Sequence, residues 1–171
     1  MTPRQSKTDP QILEIPPQKM AVVYGKGTPD KVFPELMPAL YGSVYTLKFD
    51  LKKRGLPTFK VSGLRARYPD VLEAPKGKWS IIIGLPVPGD TTSLPQKVAG
   101  IEVKLETWEY GTVAQILHLG GYDQEQPNIE RLHKFIEDNG YEISGLHEEE
   151  YLTRPNAKVP KTIIRYPIKK R

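Results

Sequence analysis

Two neighbouring stretches decide the fold: "TVAQILHLGG", residues 112–121, and "PNIERLHKFIEDNG", residues 127–140. The first is an apolar run that closes on two glycines, as expected of a buried strand that ends in a turn. The second has Ile129, Leu132 and Ile136 at helical spacing, begins with a proline and has a glycine at its end. Two more strand-like segments follow, so this half of the chain reads strand, helix, strand, strand.

The first half of the chain repeats this order. "KMAVVYGKG", residues 19–27, is again an apolar strand that ends in a glycine turn. Apolar residues three and four apart predict a helix from about Pro34, with its regular part beginning near Pro38. Strand-like segments follow at residues 59–68 and 78–87. The first strands and the proline-led helices are both offset by 93 residues, as 112 − 19 and 127 − 34 show.

A period this long excludes a solenoid and indicates a duplicated unit. We therefore predict an α+β fold of two β-α-β-β units related by pseudo-two-fold symmetry, with antiparallel sheets and a central ligand groove where the units meet. The units are expected at about residues 19–87 and 112–168, with an alternating linker strand at residues 101–108. Residues 1–10 are expected to form a disordered tail, and residues 11–171 a single domain.

The composition indicates a globular protein, with 38% apolar and 26% charged residues in a chain of 171. No apolar run approaches the roughly 18–20 residues of a membrane span, and the first residues lack the apolar stretch of a signal peptide. Cysteine is absent, which excludes disulfides and thiolate catalysis and agrees with a cytoplasmic protein.

The formal net charge of +5 has a structural explanation. Residues 169–171 supply three of the positive charges at the end of the chain. Residues 52–54 form a second cluster just before Gly55, where cations complement the dipole at the end of a helix. No nucleic-acid-binding motif accompanies these clusters. We therefore expect neither direct nucleic-acid binding nor a membrane partner.

"GLHEEEYLTRP", residues 145–155, places three glutamates in a segment that reads as a strand. Strand side chains alternate between faces, so Glu149 shares a face with Tyr151, whereas Glu148 and Glu150 lie on the other face. If either face is buried, at least one carboxylate is buried with it. The alternative is a solvated edge strand whose charges prevent pairing with another chain.

A family resemblance favours the buried alternative. "AQILHLGGYDQEQPNIERLHKFIEDNGYEISGLHEEEYL", residues 114–152, followed by "KTIIRYPI", resembles the second half of a GyrI-like small-molecule-binding domain, also called the bacterial transcription-activator effector-binding domain. The shared features are a strand ending in His-x-Gly-x-Tyr, a helix closing on Asn-Gly-Tyr, and a Glu-x-Tyr-Leu strand. The resemblance implies the duplicated fold and a groove that binds organic cations or aromatic compounds.

The same resemblance assigns the candidate site residues. Glu149 begins the Glu-x-Tyr-Leu pattern and would supply the negative charge of the groove, while Glu148 and Glu150 are expected at the surface. The catalytic residues that it implies are Glu149 and Tyr122. With the aromatic and charged residues of the first half added, the predicted ligand-binding residues are Glu149, Tyr151, His118, Tyr122, Trp79, Trp108, Tyr45 and Arg65.

Four of these residues precede the second predicted unit. Trp79 and Trp108 begin and end strands, where a tryptophan either walls a groove or caps the core. Tyr45 lies one helical turn after another tyrosine and has the same two interpretations. Arg65 lies in "GLRARYP", where one branch of the family has the first of two tryptophans. Its charge could pair with Glu149 and favour an acidic or polar ligand.

Three functions remain open. A DNA-binding domain is not expected in a chain of this length, so the protein resembles stand-alone members of the family. It would bind amphipathic aromatic or cationic compounds, with or without detoxifying them by hydrolysis. The second interpretation is a hydrolase that opens the cyclopropane rings of DNA-alkylating compounds, with Glu149 as general base. The third is a macromolecular interaction protein such as a gyrase modulator, and a protein partner or a homodimer stays open.

The histidines do not indicate a metal site. His118, His133 and His147 are 15 and 14 residues apart, without a short-range ligand pair such as His-x-x-x-His. His118 and His147 can approach Glu149, whereas His133 is expected on the helix surface. We predict neither a metal nor a cofactor.

Overall fold

The structure is a computed structural model that describes residues 8–70, 73–75, 77–154 and 156–171. Over these residues the chain forms nine strands and two α-helices. In order they are β1 (Gln11–Ile15), β2 (Gln18–Lys26), α1 (Pro29–Lys53), β3 (Leu64–Tyr68), β4 (Ser80–Pro86), β5 (Lys104–Trp108), β6 (Gly111–Leu119), α2 (Gln126–Asp138), β7 (Tyr141–Ile143), β8 (His147–Tyr151) and β9 (Lys161–Lys170). A 3-10 turn, Tyr122–Gln124, precedes α2.

The chain divides into two compact units. The first unit is Pro17–Glu109, and the second joins Tyr110–Arg171 to the described part of Met1–Pro16. In the first unit the strand order is β3-β4-β2-β5, and in the second it is β8-β9-β6-β1. All of these neighbours are antiparallel, and β7 also pairs with β9. Each unit therefore contains strand, helix, strand, strand in the same arrangement, which confirms the predicted duplicated β-α-β-β fold.

Helix α1 covers one face of the first unit's sheet. Val32 and Leu36 of the helix are buried, and a Cβ added at Gly25 of β2 would come within 2.5 Å of the Leu36 side chain. Glycine at this position therefore lets the helix approach the strand closely. Val23 and Ile83, which pair across β2 and β4, lie on the same face and are fully buried or nearly so.

Helix α2 covers one face of the second unit's sheet. Leu132 and Ile136 of the helix pack with Ile164, Tyr166 and residues of β6 in one apolar cluster. The helix begins with Pro127 in its first turn, and Gly140 just beyond its end has φ +80°. These features confirm the predicted helix. Proline is favoured in the first turn of a helix, and glycine is favoured in the left-handed conformation just after the last turn.

The predicted start of the first helix is wrong. Helix α1 begins at Pro29 and continues through Pro34 and Pro38, each of which removes a backbone donor. Burial of Val32 and Leu36 against the sheet stabilises the segment around Pro34 and outweighs this loss. The end of the helix agrees with the sequence, since Lys53 is its last residue and the following Gly55 has φ +69°.

Other differences concern the strand boundaries. The strand predicted at residues 59–68 begins only at Leu64, and the linker strand begins at Lys104. Residues 1–7 of the predicted tail lie outside the described residues. The Arg131 guanidinium of α2 donates to the Thr8 carbonyl and to the Asp9 carboxylate, so these two residues are held in place. In the described parts of the chain, neither helix has the length and apolar character needed to cross a bilayer.

Candidate functional site

The glutamates of β8 point to two faces of the second unit's sheet. Glu149 lies opposite Ile164 of β9, and Glu148 lies opposite Arg165. Residues directly opposite in an antiparallel pair share a face. Because Ile164 belongs to the apolar cluster under α2, Glu149 points to the helix-bearing face. Glu148 points to the other face.

On the helix-bearing face, Glu149 contacts a histidine and through it a tyrosine. The Nε2 atom of His147 lies 2.7 Å from Glu149 Oε2, and its Nδ1 atom lies 2.6 Å from the Tyr166 hydroxyl. With Glu149 ionised, Nε2–H donates to the carboxylate and the tyrosine hydroxyl donates to Nδ1. Burial, with the charges of Glu149 and Glu125, raises the pKa of Tyr166 and keeps its hydroxyl protonated.

Glu125 is the second carboxyl of this face. It precedes α2 as its N-cap residue, and it is 7% exposed, as is Glu149. Burial raises the pKa of Glu125 to about 9, together with the negative charge of Glu149 and a hydrogen bond between the two carboxyls. Two buried carboxyls in contact cannot both ionise readily, so the pair keeps one proton at neutral pH. We assign this proton to Glu125.

Two tyrosines lie beside the carboxyl pair. The rings of Tyr122 and Tyr151 meet edge to face, with centroids 5.7 Å apart and planes at 81°. Tyr122 is 52% exposed, and partial burial together with the charges of Glu149 and Glu125 raises its pKa. Tyr122 therefore stands close to both carboxyls while half of its surface remains open to solvent.

His118 shapes the turn that carries Tyr122. It is 2% exposed, its Nε2 atom lies 2.8 Å from the Gly121 carbonyl, and its Nδ1 atom lies 2.8 Å from the Asn128 amide nitrogen. Asn128 donates to Nδ1, so Nε2 carries the proton and donates to the carbonyl. Both ring nitrogens are thus used to hold the glycine turn against α2. The ligand-binding role predicted for His118 stays a prediction.

The predicted surface position of Glu148 is wrong. Glu148 is 1% exposed, with its carboxylate 2.7 Å from the Arg165 guanidinium and 2.9 Å from the Tyr110 hydroxyl. Glu150 is partly buried and lies 3.3 Å from the same guanidinium. The reason is the strand register, which places Arg165 directly opposite Glu148 and so compensates the buried charge.

The remaining predicted site residues lie in the first unit. The indole nitrogen of Trp79 donates to the Ala74 carbonyl at 3.0 Å. Trp108 is 4% exposed, and the Arg67 guanidinium stacks 3.9 Å from the centre of its ring. Trp108 thus packs in the core of its unit.

The ligand-binding roles predicted for Tyr45 and Arg65 also stay predictions. Tyr45 is 39% exposed on α1 and stacks on Tyr41, with ring centroids 6.2 Å apart. Arg65 pairs with Gly84 of β4, on the face of the first unit's sheet that points away from α1. Its guanidinium therefore does not share the helix-bearing face of its own unit.

Sequence reasoning missed Glu125 and Tyr166 as parts of the site. Glu125 lies in "YDQEQP", which reads as a polar turn, and Tyr166 lies in an apolar strand that reads as core. The available signal was indirect. The helix predicted to begin at Pro127 places Glu125 in its capping region, and His147 shares the face of Glu149 by alternation.

A cavity of about 270 Å³ in the first unit contains no residue of this site and has Tyr24, Lys26, Glu35, Glu102 and Lys104 in its wall. Its charges are of both signs, and none of the predicted site residues lines it. Within the described residues, no three His, Asp or Glu side chains are placed to hold a metal ion. The buried carboxyl pair is therefore the stronger candidate site.

The fold is that of a class of small-molecule-binding domains. The sequence matches the model of the GyrI-like small molecule binding domain over residues 8–169, so the chain belongs to the GyrI-like family. No curated protein has a sequence similar enough to count as a relative.

Several solved structures share the fold. An uncharacterized conserved protein from Listeria innocua has 23% identity and a TM-score of 0.83, with 95% of this chain and 93% of that chain covered. A hydrolase from Listeria innocua has 22% identity and a TM-score of 0.80, with 96% and 94% covered. The EcmrR C-terminal domain has 17% identity and a TM-score of 0.69, with 95% and 98% covered. At these identities the likeness establishes the fold.

The proton on the carboxyl pair makes stability depend on pH. Glu125 holds its proton in the folded chain up to about pH 9, whereas the unfolded chain loses it near pH 4.5. Between these values the folded state binds more protons, so the free energy of unfolding falls as pH rises, by at most about 1.4 kcal/mol per pH unit. We expect Glu125→Gln to remove this component, as measured by urea unfolding at about pH 6 and about pH 9.

The matched control is Glu137→Gln, which changes an exposed glutamate of the same helix. It should keep the wild-type pH dependence. An equal pH dependence in wild type and Glu125→Gln would contradict the assignment of the proton to Glu125.

Proposed function

We propose that this protein binds amphipathic aromatic or cationic small molecules at the carboxyl pair of its second unit, with Glu149 as the anionic contact. The observation that carries the proposal is the environment of Glu149. This buried carboxylate has His147 and Glu125 as its hydrogen-bond partners in the described chain, rather than an arginine or a lysine. A buried charge compensated in this way can gain stabilisation from an incoming cation.

The tyrosines suit the same class of ligand. Tyr122 and Tyr151 present aromatic surface beside the carboxyl pair, and the face of an aromatic ring attracts a cation. Aromatic rings of the ligand can also pack against them. A compound that carries both a positive charge and aromatic rings is therefore recognised by two kinds of contact at once.

Access to the carboxyls requires a movement. Both glutamates are buried, while Tyr122 is half exposed and lies in a short turn directly after two glycines. His118 and Asn128 hold the turn itself in place. We propose that the Tyr122 side chain moves to admit the ligand and then contacts it from the solvent side.

Tetraphenylphosphonium and tetraphenylborate test the charge preference, because they have nearly the same shape and opposite charge. We expect the cation to bind at least tenfold more tightly than the anion in calorimetric titrations at neutral pH. Glu149→Gln should remove most of this difference, since it keeps the shape of the side chain and removes its charge. Glu150→Gln, on the other face of the same strand, is the matched control.

Equal affinity for the two ions in the wild-type protein would contradict the electrostatic role of Glu149. Tighter binding of the anion would point instead to an arginine such as Arg65 as the controlling charge.

A second candidate function is hydrolysis, favoured by the pairing of a base with an acid. Glu149 is an acceptor oriented by His147, and Glu125 and Tyr122 are proton donors beside it. In the opening of a cyclopropane ring conjugated to a carbonyl, Glu149 would take a proton from a water molecule. The oxygen of that water would at the same time form a bond to a ring carbon. The ring C–C bond would break, and the carbonyl oxygen would take a proton from Tyr122. The Listeria innocua structures named hydrolases have the same fold.

Incubation with a cyclopropane-bearing alkylating compound tests this function. We expect a ring-opened product that contains one added water, with many turnovers per protein, measured by mass spectrometry. Glu149→Gln should bind the compound yet lower the turnover by ~10²–10⁴-fold, the loss expected for a general base. Stoichiometric binding without product would leave the binding function alone, and turnover unchanged in Glu149→Gln would exclude Glu149 as the base.

A further inference from the structure

Within the described residues, neither an arginine nor a lysine bonds to the carboxyl pair on the helix-bearing face. Glu125 is faced by Glu149 of β8, Tyr166 of β9 and Tyr122 of the preceding turn. His147 of β8 bonds to Glu149. His133 of α2 contacts Tyr166 from the exposed side. Arg165, the buried cation of the same unit, points to the opposite face and binds Glu148. The proton held by Glu125 and Glu149 therefore supplies the positive charge within the carboxyl pair.

Glu125 is placed to be a ligand contact in its own right. Apart from the Glu149 carboxyl, no group of the described residues bonds to its buried Oε1 atom, although the residue is 7% exposed. Once the shared proton has left, this oxygen would need another positive group, which a bound cation supplies. Glu125 directly follows the turn that carries Tyr122, the residue past which the ligand is proposed to enter. Glu125 and this half-exposed aromatic residue therefore belong to one site.

We infer that Glu125 and Glu149 exchange their shared proton for the positive charge of the ligand. Glu125 is then a second specificity-determining carboxyl, ionised in the complex and protonated in the free protein. This inference rests on the proposed cation-binding function of the same site. A monocation that enters the pair replaces one positive charge by another, so each binding event releases one proton to the solvent.

The exchange gives the affinity a defined pH dependence. While a full proton is released per bound cation, the dissociation constant falls tenfold for each unit that pH rises. This dependence ends above the pH at which the free pair has lost its proton. A neutral ligand releases no proton, and its affinity is independent of pH over the same range.

Calorimetric titration of the whole chain with tetraphenylphosphonium tests the exchange. Titrations in phosphate and in Tris, which differ in ionisation enthalpy, count the protons released at about pH 7. We expect close to one proton per cation for wild type and for the matched control Glu137→Gln. Glu125→Gln should release close to none, and its affinity should change less than threefold between about pH 6 and about pH 8. Triphenylphosphine oxide is the neutral reference compound.

The outcomes separate this inference from the proposed function. Cation preference without proton release in the wild type would overturn the exchange and leave the cation-binding function intact. Proton release that persists in Glu125→Gln would assign the proton to another group, such as His147, and would also overturn it. Failure of tetraphenylphosphonium to bind more tightly than tetraphenylborate would overturn the proposed function and the exchange with it. Absence of proton release in the wild type overturns the exchange whether or not the variant folds.

Discussion

Glu125 and Glu149 meet inside the second unit, where strand alternation keeps the one buried arginine of the described chain on the other side of the sheet. Arg165 lies opposite Glu148 and compensates its charge. Glu149, one residue further along, points to the helix-bearing face and is compensated by His147 and by the proton on Glu125. The strand register therefore gives Glu148 a buried arginine partner, whereas the neighbours of Glu149 are a histidine and a second carboxyl.

The residues around the carboxyl pair have different structural roles. His118 and Asn128 fix the glycine turn against α2, which brings Glu125 to the start of the helix. Tyr122, in the same turn, remains half exposed. The candidate site thus combines two buried carboxyls with a half-exposed aromatic residue. Under the proposed function, carboxyls held in place before a ligand arrives would lower the ordering cost of binding.

The repeat, the second helix and the alternation of the glutamates could be predicted from the sequence, because each depends on local periodicity. The start of α1 could not, since burial of Val32 against the sheet decides it. The burial of Glu148 depends on the register that places Arg165 opposite it. Glu125 was missed because a polar turn gives no sign of which side chain turns inward. Strand register and packing between distant segments thus determine the features that local sequence patterns do not predict.

The central claim is that the carboxyl pair keeps one proton in the free protein at neutral pH. A pH titration of the side-chain carboxyl ¹³C resonances by NMR tests it most directly, with Glu125→Gln used for assignment. The account predicts one glutamate resonance that stays in its protonated position at neutral pH, shifts near pH 9, and is absent from Glu125→Gln. Titration of every glutamate carboxyl below about pH 6, near the ordinary range for this side chain, would contradict it.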